Sequence, residues 1–344
     1  MVKLVKDEFI KSYGGLIQYS CYLKEAFKGQ EALGVRPYIG HSFELLESLF
    51  LIEEQLKSLE KDKSESLNVD TYRGVLNIRG SNYLFNEFFP LSTFSPYVEL
   101  FFQKTGEMKS SQESEILKAL QLALAEQGFK KSVIRMRKND REKQALLSRY
   151  IYSLFAYLPS LLVIDIDLSY VEEWNYNQPL NADIDSIDDT AQTEEKIRTQ
   201  RIERVQNERN ELITQLKKKY KKDLVGYIWK LDYSTEKNFY YNMMLFLDGQ
   251  KYQNDVEIAE GIGSLWKSIT EAKGIYFNKN LHKYDGTGLI QHSELQKRKS
   301  LQKRALYLIK TDYFIKMKLK AQNGQKLHTF DRGQIPKRIQ SKIS

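Results

Sequence analysis

The chain has 344 residues, 41% of them apolar and 12% aromatic, which is enough to bury a full core and predicts two domains rather than a disordered polymer. One cysteine, Cys21, excludes an internal disulfide, and neither the longest apolar run, Leu161–Ile164, nor the N-terminus MVKLVKDEFIKSYGG provides a membrane span or a signal peptide, so a cytoplasmic protein without a membrane partner is expected. The net charge of +8 is uneven: Ser293–Ser344 holds 14 Lys or Arg against 3 Asp or Glu, 14 − 3 = +11, which leaves 8 − 11 = −3 for Met1–His292.

Residues 1–90 read as a helical accessory region, with Phe43, Leu46, Phe50, Ile52, Leu56 and Leu59 near helical spacing and a polar linker at Lys61–Asn68. This region carries no motif of activity and is a candidate surface for a protein partner. Residues 91–160 form a helical lead-in, with helices expected over Gln112–Glu126 and Asp140–Tyr157. The third region, 161–344, opens on LLVIDIDL, a strand apolar enough to be central in a sheet, with Asp165 and Asp167 on one face. Those two carboxylates would bind a metal, act as an acid and base pair, or meet a buried Arg or Lys, the last being the favoured reading. An acidic, turn-rich excursion follows over Val171–Thr193, then a charged helix, Glu194–Lys222. Its terminal lysines suit the negative end of the helix dipole.

Gly226–Gly249 is the most informative stretch. Tyr227, Trp229, Leu231 and Tyr233 alternate with Ile228, Lys230 and Asp232, and after the turn Ser234–Lys237 a second alternation sets Tyr240 and Asn242 on one face. This predicts a hairpin packed antiparallel beside Leu161–Tyr170. A helix near Asp255–Thr270, short strands at GIYFN and GTGLIQH, and a final helix over Ser293–Lys320 complete the order. The fold class is α+β, an antiparallel sheet covered by helices on one side, with a helical N-terminal region.

GYIWKLDY, FLDG, GIYFN, YLIKTDY and TFDRGQIPK, in order across Leu161–Lys337, resemble the YagK/YfjJ-type prophage family. These proteins are relatives of the inovirus (filamentous phage) gene-two replication protein and similar to HUH rolling-circle endonucleases. The resemblance implies a strand-borne histidine pair that binds a divalent metal and a helix-borne tyrosine that attacks a DNA phosphodiester. This chain carries Tyr240-Tyr241-Asn242 where the family shows His-x-His. Asp232 stands at the family's acidic position and, with Asn242, would make a weak oxygen site for Mg²⁺ or Mn²⁺; with that site degenerate there would be no cofactor.

Tyr307-Leu-Ile-Lys310 matches the family's helix motif, which makes Tyr307 the candidate nucleophile and Lys310 the ammonium beside it. Tyr313-Phe-Ile-Lys316 repeats the spacing. Lys297, Arg298, Lys303, Arg304, Lys316 and Arg332 are the candidate DNA contacts, interleaved with aromatic residues as a phosphate backbone and stacked bases require. His292, just before the tyrosine helix, is a substitute ligand to test. Three functions are open: a replication-initiator-like protein binding single-stranded or hairpin DNA with its nickase chemistry weakened or lost, an active metal-dependent nickase, and a non-enzymatic regulator on the same fold.

Overall fold

The computed structural model describes residues 40–64, 66–89, 91–108, 112–171, 191–234, 238–318 and 328–336. Nearly all of the expected acidic excursion, most of the hairpin turn and the basic tail beyond Pro336 lie outside them. The chain forms two compact units. One comprises Met1–Phe88 with Phe94–Arg135, the other Phe89–Thr93 with Met136–Ser344.

The first unit is helical: α1 (Gly40–Lys61), α2 (Val69–Leu76), α3 (Asn82–Phe88), α4 (Pro96–Glu107), α5 (Glu113–Ala125) and the first turns of α6 (Gln127–Tyr157). Ser95 caps α4, with Pro96 at its first turn, where the missing N–H costs nothing. Leu49, Ile52, Leu56 and Leu59 of α1 are fully buried, as are Val98 and Phe101 of α4 and Leu117, Leu120 and Leu124 of α5. Their three- and four-residue spacing is the stripe expected of a helix facing a core.

The second unit is built on a six-stranded sheet. Its strands are β2 (Ser160–Tyr170), β3 (Leu224–Ser234), β4 (Asn238–Asp248), β5 (Gly274–Asn278), β6 (Gly288–Gln291) and β8 (Phe330–Arg332). The order is β5-β2-β4-β3-β8, with β6 also on β2, and every pairing is antiparallel. The hairpin therefore lies beside Leu161–Tyr170, as its alternation predicts. Between β1 (Ser92–Phe94) and β7 (Ile315–Met317) there is a separate two-stranded pairing.

The expectation of a sheet covered on one side is corrected. Leu162, Ile164, Ile166 and Leu168, with Trp229, Leu231, Tyr241 and Met243, pack on one face among residues of α7 (Ala191–Tyr220) and α8 (Asp255–Ile269). On the opposite face Leu161, Val163, Ile228, Met244 and Phe246 pack with Leu147, Tyr150 and Leu154 of α6 and Leu301, Ala305 and Ile309 of α9 (Leu295–Lys310). Both faces of LLVIDIDL are apolar enough to need a cover, and both have one. Close approach of α6 is made possible at Gly226, where a Cβ would come within 2.6 Å of the Tyr150 hydroxyl oxygen. That oxygen accepts from the Tyr227 N–H at 3.1 Å.

Two helix boundaries also differ from expectation. α6 begins at Gln127, well before Asp140, because its charged early turns carry little apolar periodicity to mark them. The final helix stops at Lys310 rather than running to Lys320. A 3-10 turn, Thr311–Tyr313, follows, in which Asp312 pairs with Lys143 and Lys230, and the chain continues as β7. The second tyrosine motif therefore occupies a turn and a strand, and does not share the helix of Tyr307.

Candidate functional site

β2 has more partners than one strand can supply on the edge away from β4. β5 pairs with Ile166–Tyr170 and β6 with Ser160–Val163, end to end along the same edge. Asn280 fills the gap between them. Its side-chain amide donates to the Val163 carbonyl at 2.8 Å and accepts from the Asp165 N–H at 2.7 Å, standing in for a peptide unit of the missing strand. The same amide nitrogen reaches Asp255 at 2.7 Å. This break in the edge, a 3-10 turn at Lys279–His282, brings Lys279 against Asp165 and Asp167.

Register sets the rest. Lys230 lies opposite Asn242, and Asn242 opposite Asp167, so the three share a face across three adjacent strands; Asp232 lies opposite Tyr240. The result is a ladder of charge on the face covered by α6 and α9. Lys143 pairs with Asp312 at 2.7 Å, Asp312 with Lys230 at 3.2 Å, and Lys230 with Asp232 at 2.9 Å. Asn242 donates to Asp232 at 3.4 Å and accepts from the Lys279 ammonium at 3.5 Å. Lys279 pairs with Asp167 and with Asp165, and Asp165 also receives the Arg304 guanidinium. That guanidinium lies 4.6 Å from the centre of the Tyr284 ring.

Four carboxylates, Asp165, Asp167, Asp232 and Asp312, thus meet four cations, Lys143, Lys230, Lys279 and Arg304. Lys230, Lys279 and Asp165 are essentially inaccessible to water. Burial by itself would lower the Lys230 pKa, but Asp232 and Asp312 outweigh it and hold the ammonium above its ordinary value. Burial would raise Asp165, yet Arg304 and Lys279 hold it below the usual carboxylate range. Asp312 is likewise lowered against its burial, by Lys230 and Lys143. Lys230, Asp165 and Asp312 are therefore charged at neutral pH.

The donor set does not fit a divalent metal. An ion placed among Asp165, Asp167 and Asp232 would have to displace Lys279 or Lys230, whose ammonium groups already neutralise those oxygens. Among the described residues, no three His, Cys, Asp or Glu side chains are gathered so as to hold a metal ion. Asn242 suits this setting because an amide has a donor end for a carboxylate and an acceptor end for an ammonium.

Asp232, Tyr240 and Asn242 come together, but inside an ion-pair network. Tyr307 is half-buried on α9, one turn beyond Arg304; Lys310 ends that helix, and its side chain lies outside the described residues. Arg304 is committed to Asp165. Arg298 lies 4.9 Å from the Phe155 ring centre and donates to the His292 carbonyl; Lys297 pairs with Glu294 at 2.7 Å. Lys303 is exposed, and Lys316 is half-buried on β7. Arg332 lies 4.7 Å from the Tyr150 ring centre and donates to the Gly333 carbonyl. His292 sits opposite Pro159, six residues or about 20 Å along the strand from Asp165, too far to substitute as a ligand there.

Lys230, Lys279, Asn280, Asp312 and Lys143 were not singled out from the sequence. Lys230 had a signal, since it shares the inward period of Ile228 and Asp232. The other four depend on pairings distant along the chain.

Fold and site together define an α+β protein whose antiparallel sheet carries, between two layers of helices, a compensated charge ladder in place of an open cation site. Residues 126–330 match the YagK/YfjJ C-terminal domain, more than half of the chain, and the protein belongs to that family. No curated protein and no solved structure matches it. Among the described residues no helix is long and apolar enough to cross a membrane.

Proposed function

We propose that this protein is a replication-initiator-like DNA-binding member of its family, associated with a prophage or mobile element, that holds single-stranded or hairpin DNA without nicking it. The observation that carries this reading is the pair of ammonium groups, Lys230 and Lys279, that occupy the carboxylates beside Asn242. Metal-dependent nicking needs a divalent ion to polarise the scissile phosphate, and a buried ammonium cannot act as a Lewis acid. DNA binding is supported by the +11 charge of Ser293–Ser344 and by the exposed Lys299 and Lys303 on α9. Lysine and arginine contacts to phosphate release condensed counterions, so binding weakens as salt rises.

The test is affinity for single-stranded and hairpin oligonucleotides at two salt concentrations, alongside a search for a covalent protein–DNA adduct with Mg²⁺ or Mn²⁺. The expected result is salt-sensitive binding with no adduct. An Mn²⁺-dependent adduct lost in Tyr307→Phe would establish an active nickase instead. Absence of DNA binding at any salt would leave the fold to a non-enzymatic regulator, with residues 1–90 as the partner surface.

A further inference from the structure

One end of the charge ladder opens into a cleft of about 640 Å³. Lys143 belongs to both, lining the cleft and pairing with Asp312. The volume lies within the range of small-ligand sites. Its walls come from α6, from β7 and from β8 with the residues after it. They include Asn139, Lys316, Phe330, Asp331, Arg332 and Gln334.

We infer that this cleft receives one unstacked base of a single-stranded nucleic acid, with the adjoining phosphodiester on Lys316 and Arg332. The inference rests on the proposed DNA-binding function and gives it a site. Phe330 supplies an aromatic surface, and base–aromatic stacking tolerates any sequence because every base has a π-face. Asn139 and Gln334 are exposed amides, each with a donor and an acceptor, the groups that read base edges. Phe330 and Arg332 are two apart on one edge strand, so both side chains leave the same side of it from Cα atoms about 7 Å apart, a spacing comparable to that between a base and its own phosphate. Arg332 is held by Tyr150 and the Gly333 carbonyl, and its Nε has no hydrogen-bond partner among the described residues.

Charge narrows the ligand further. Three cations line the cleft, Lys143, Lys316 and Arg332, against two carboxylates, Glu142 and Asp331, and Lys143 already serves Asp312. A nearly neutral lining suits one base with one phosphodiester charge. It disfavours a nucleoside triphosphate, whose charges would face Glu142 and Asp331.

An oligonucleotide carrying a single 2-aminopurine, whose fluorescence reports stacking, tests this with the full chain. Wild type is compared with Phe330→Leu, which keeps an apolar group for the core that Phe330 joins, and with the surface variants Gln334→Ala and Asn139→Ala. Phe330→Leu is expected to weaken binding about tenfold and to abolish the fluorescence change while leaving the salt dependence intact. Gln334→Ala and Asn139→Ala are each expected to weaken it severalfold. If wild type binds DNA in a salt-sensitive way and none of the three variants alters affinity or fluorescence, the cleft assignment is overturned and the proposed function stands. If wild type binds no single strand at any salt, both fall. Deoxyadenosine monophosphate binding as tightly as the oligonucleotide would assign the cleft to a free nucleotide and overturn the strand reading.

Discussion

The two faces of the central sheet are made by the same three strands and stabilised in different ways. Toward α7 and α8 the sheet presents Leu162, Ile164, Ile166, Trp229, Tyr241 and Met243, all buried. Two polar groups on that side show how it is finished: Tyr170 donates to Glu208 at 2.6 Å, and Arg209 lies 3.9 Å from the Trp229 ring centre. Toward α6 and α9 the interior holds Asp165, Lys230 and Lys279 among Val163, Met244 and Phe246. An apolar face spreads its free energy over many small contacts and tolerates volume-conserving change. A ladder of buried charges is stable only when complete, since each ion is desolvated and depends on its neighbours. Losing one rung should therefore do more damage than its own pairing energy suggests.

The largest expected effect is from Lys230→Ala, which leaves Asp232 and Asp312 facing each other without their shared cation. Removing one partner of a buried pair costs about 3–5 kcal/mol, to be read from urea denaturation midpoints. Met243→Leu on the opposite face should cost under about 1.5 kcal/mol in the same assay. The comparison is sharpened by Lys279→Met together with Asp167→Asn, which removes charges of both signs and keeps the Asp165–Arg304 pair. That double variant should be more stable than Lys279→Met alone. If it is less stable, the ladder is not an interdependent unit.

Asn280→Ala should rank next. It removes a donor and an acceptor from the β2 edge and leaves the Val163 carbonyl and the Asp165 N–H unmet, at about 1–3 kcal/mol for each buried group. Asn280→Asp should be worse than alanine, because it keeps the acceptor, loses the donor and sets a carboxylate against Asp255. Thermal melts of the two variants decide this order.

The pH dependence has a definite sign. Asp165 and Asp312 have lowered pKa values in the folded state, so the stability they contribute is present above the unfolded carboxylate pKa, about 3.9, and is lost as pH falls through their folded values. Lys230 is raised, so its contribution is complete below about 10.4 and is lost as pH climbs past its folded value. Between about pH 5 and 9 these three groups contribute a constant amount. The stability difference between wild type and Asp312→Asn should accordingly be flat across that window and shrink below about pH 4, where a protonated Asp312 resembles asparagine. A difference that varied near neutrality would mean that another titrating group governs the ladder.

How far the sequence revealed these two faces depended on how local each signal was. The hairpin and its place beside Leu161–Tyr170 were legible because period-2 alternation is written into consecutive residues. Asp165 and Asp167 were legible as an inward pair, and Lys279 and Arg304 supply the buried basic contact that was one of their three readings. The site itself was harder to read. Comparison with a metal-binding motif drew attention to Tyr240 and Asn242, while the groups that decide their chemistry, Lys279 and Asp312, come from 3-10 turns that no periodicity announces. The second cover of the sheet was missed for a related reason. LLVIDIDL is apolar on both faces, but two aspartates on one of them resemble a solvent-facing side until their partners are known.

The smallest stability effect, and the sharpest separation of structure from binding, is expected at the exposed lysines of α9. Lys299 and Lys303 are exposed, whereas Arg304, the residue after Lys303, is tied to Asp165. Lys299→Ala and Lys303→Ala should each change folding stability by less than about 0.5 kcal/mol. If each contacts a phosphate, each should lower the log–log slope of single-strand affinity against salt by about 0.7. Arg304→Ala should instead destabilise the fold, because it leaves Asp165 with Lys279 alone, and any loss of DNA affinity would follow the loss of folded protein. Measured at a temperature where Arg304→Ala remains folded, its salt slope should match wild type. A reduced slope for Arg304→Ala with an unchanged slope for Lys303→Ala would reverse these assignments, placing the DNA contact on the ladder and leaving the exposed edge of α9 as ordinary solvated surface.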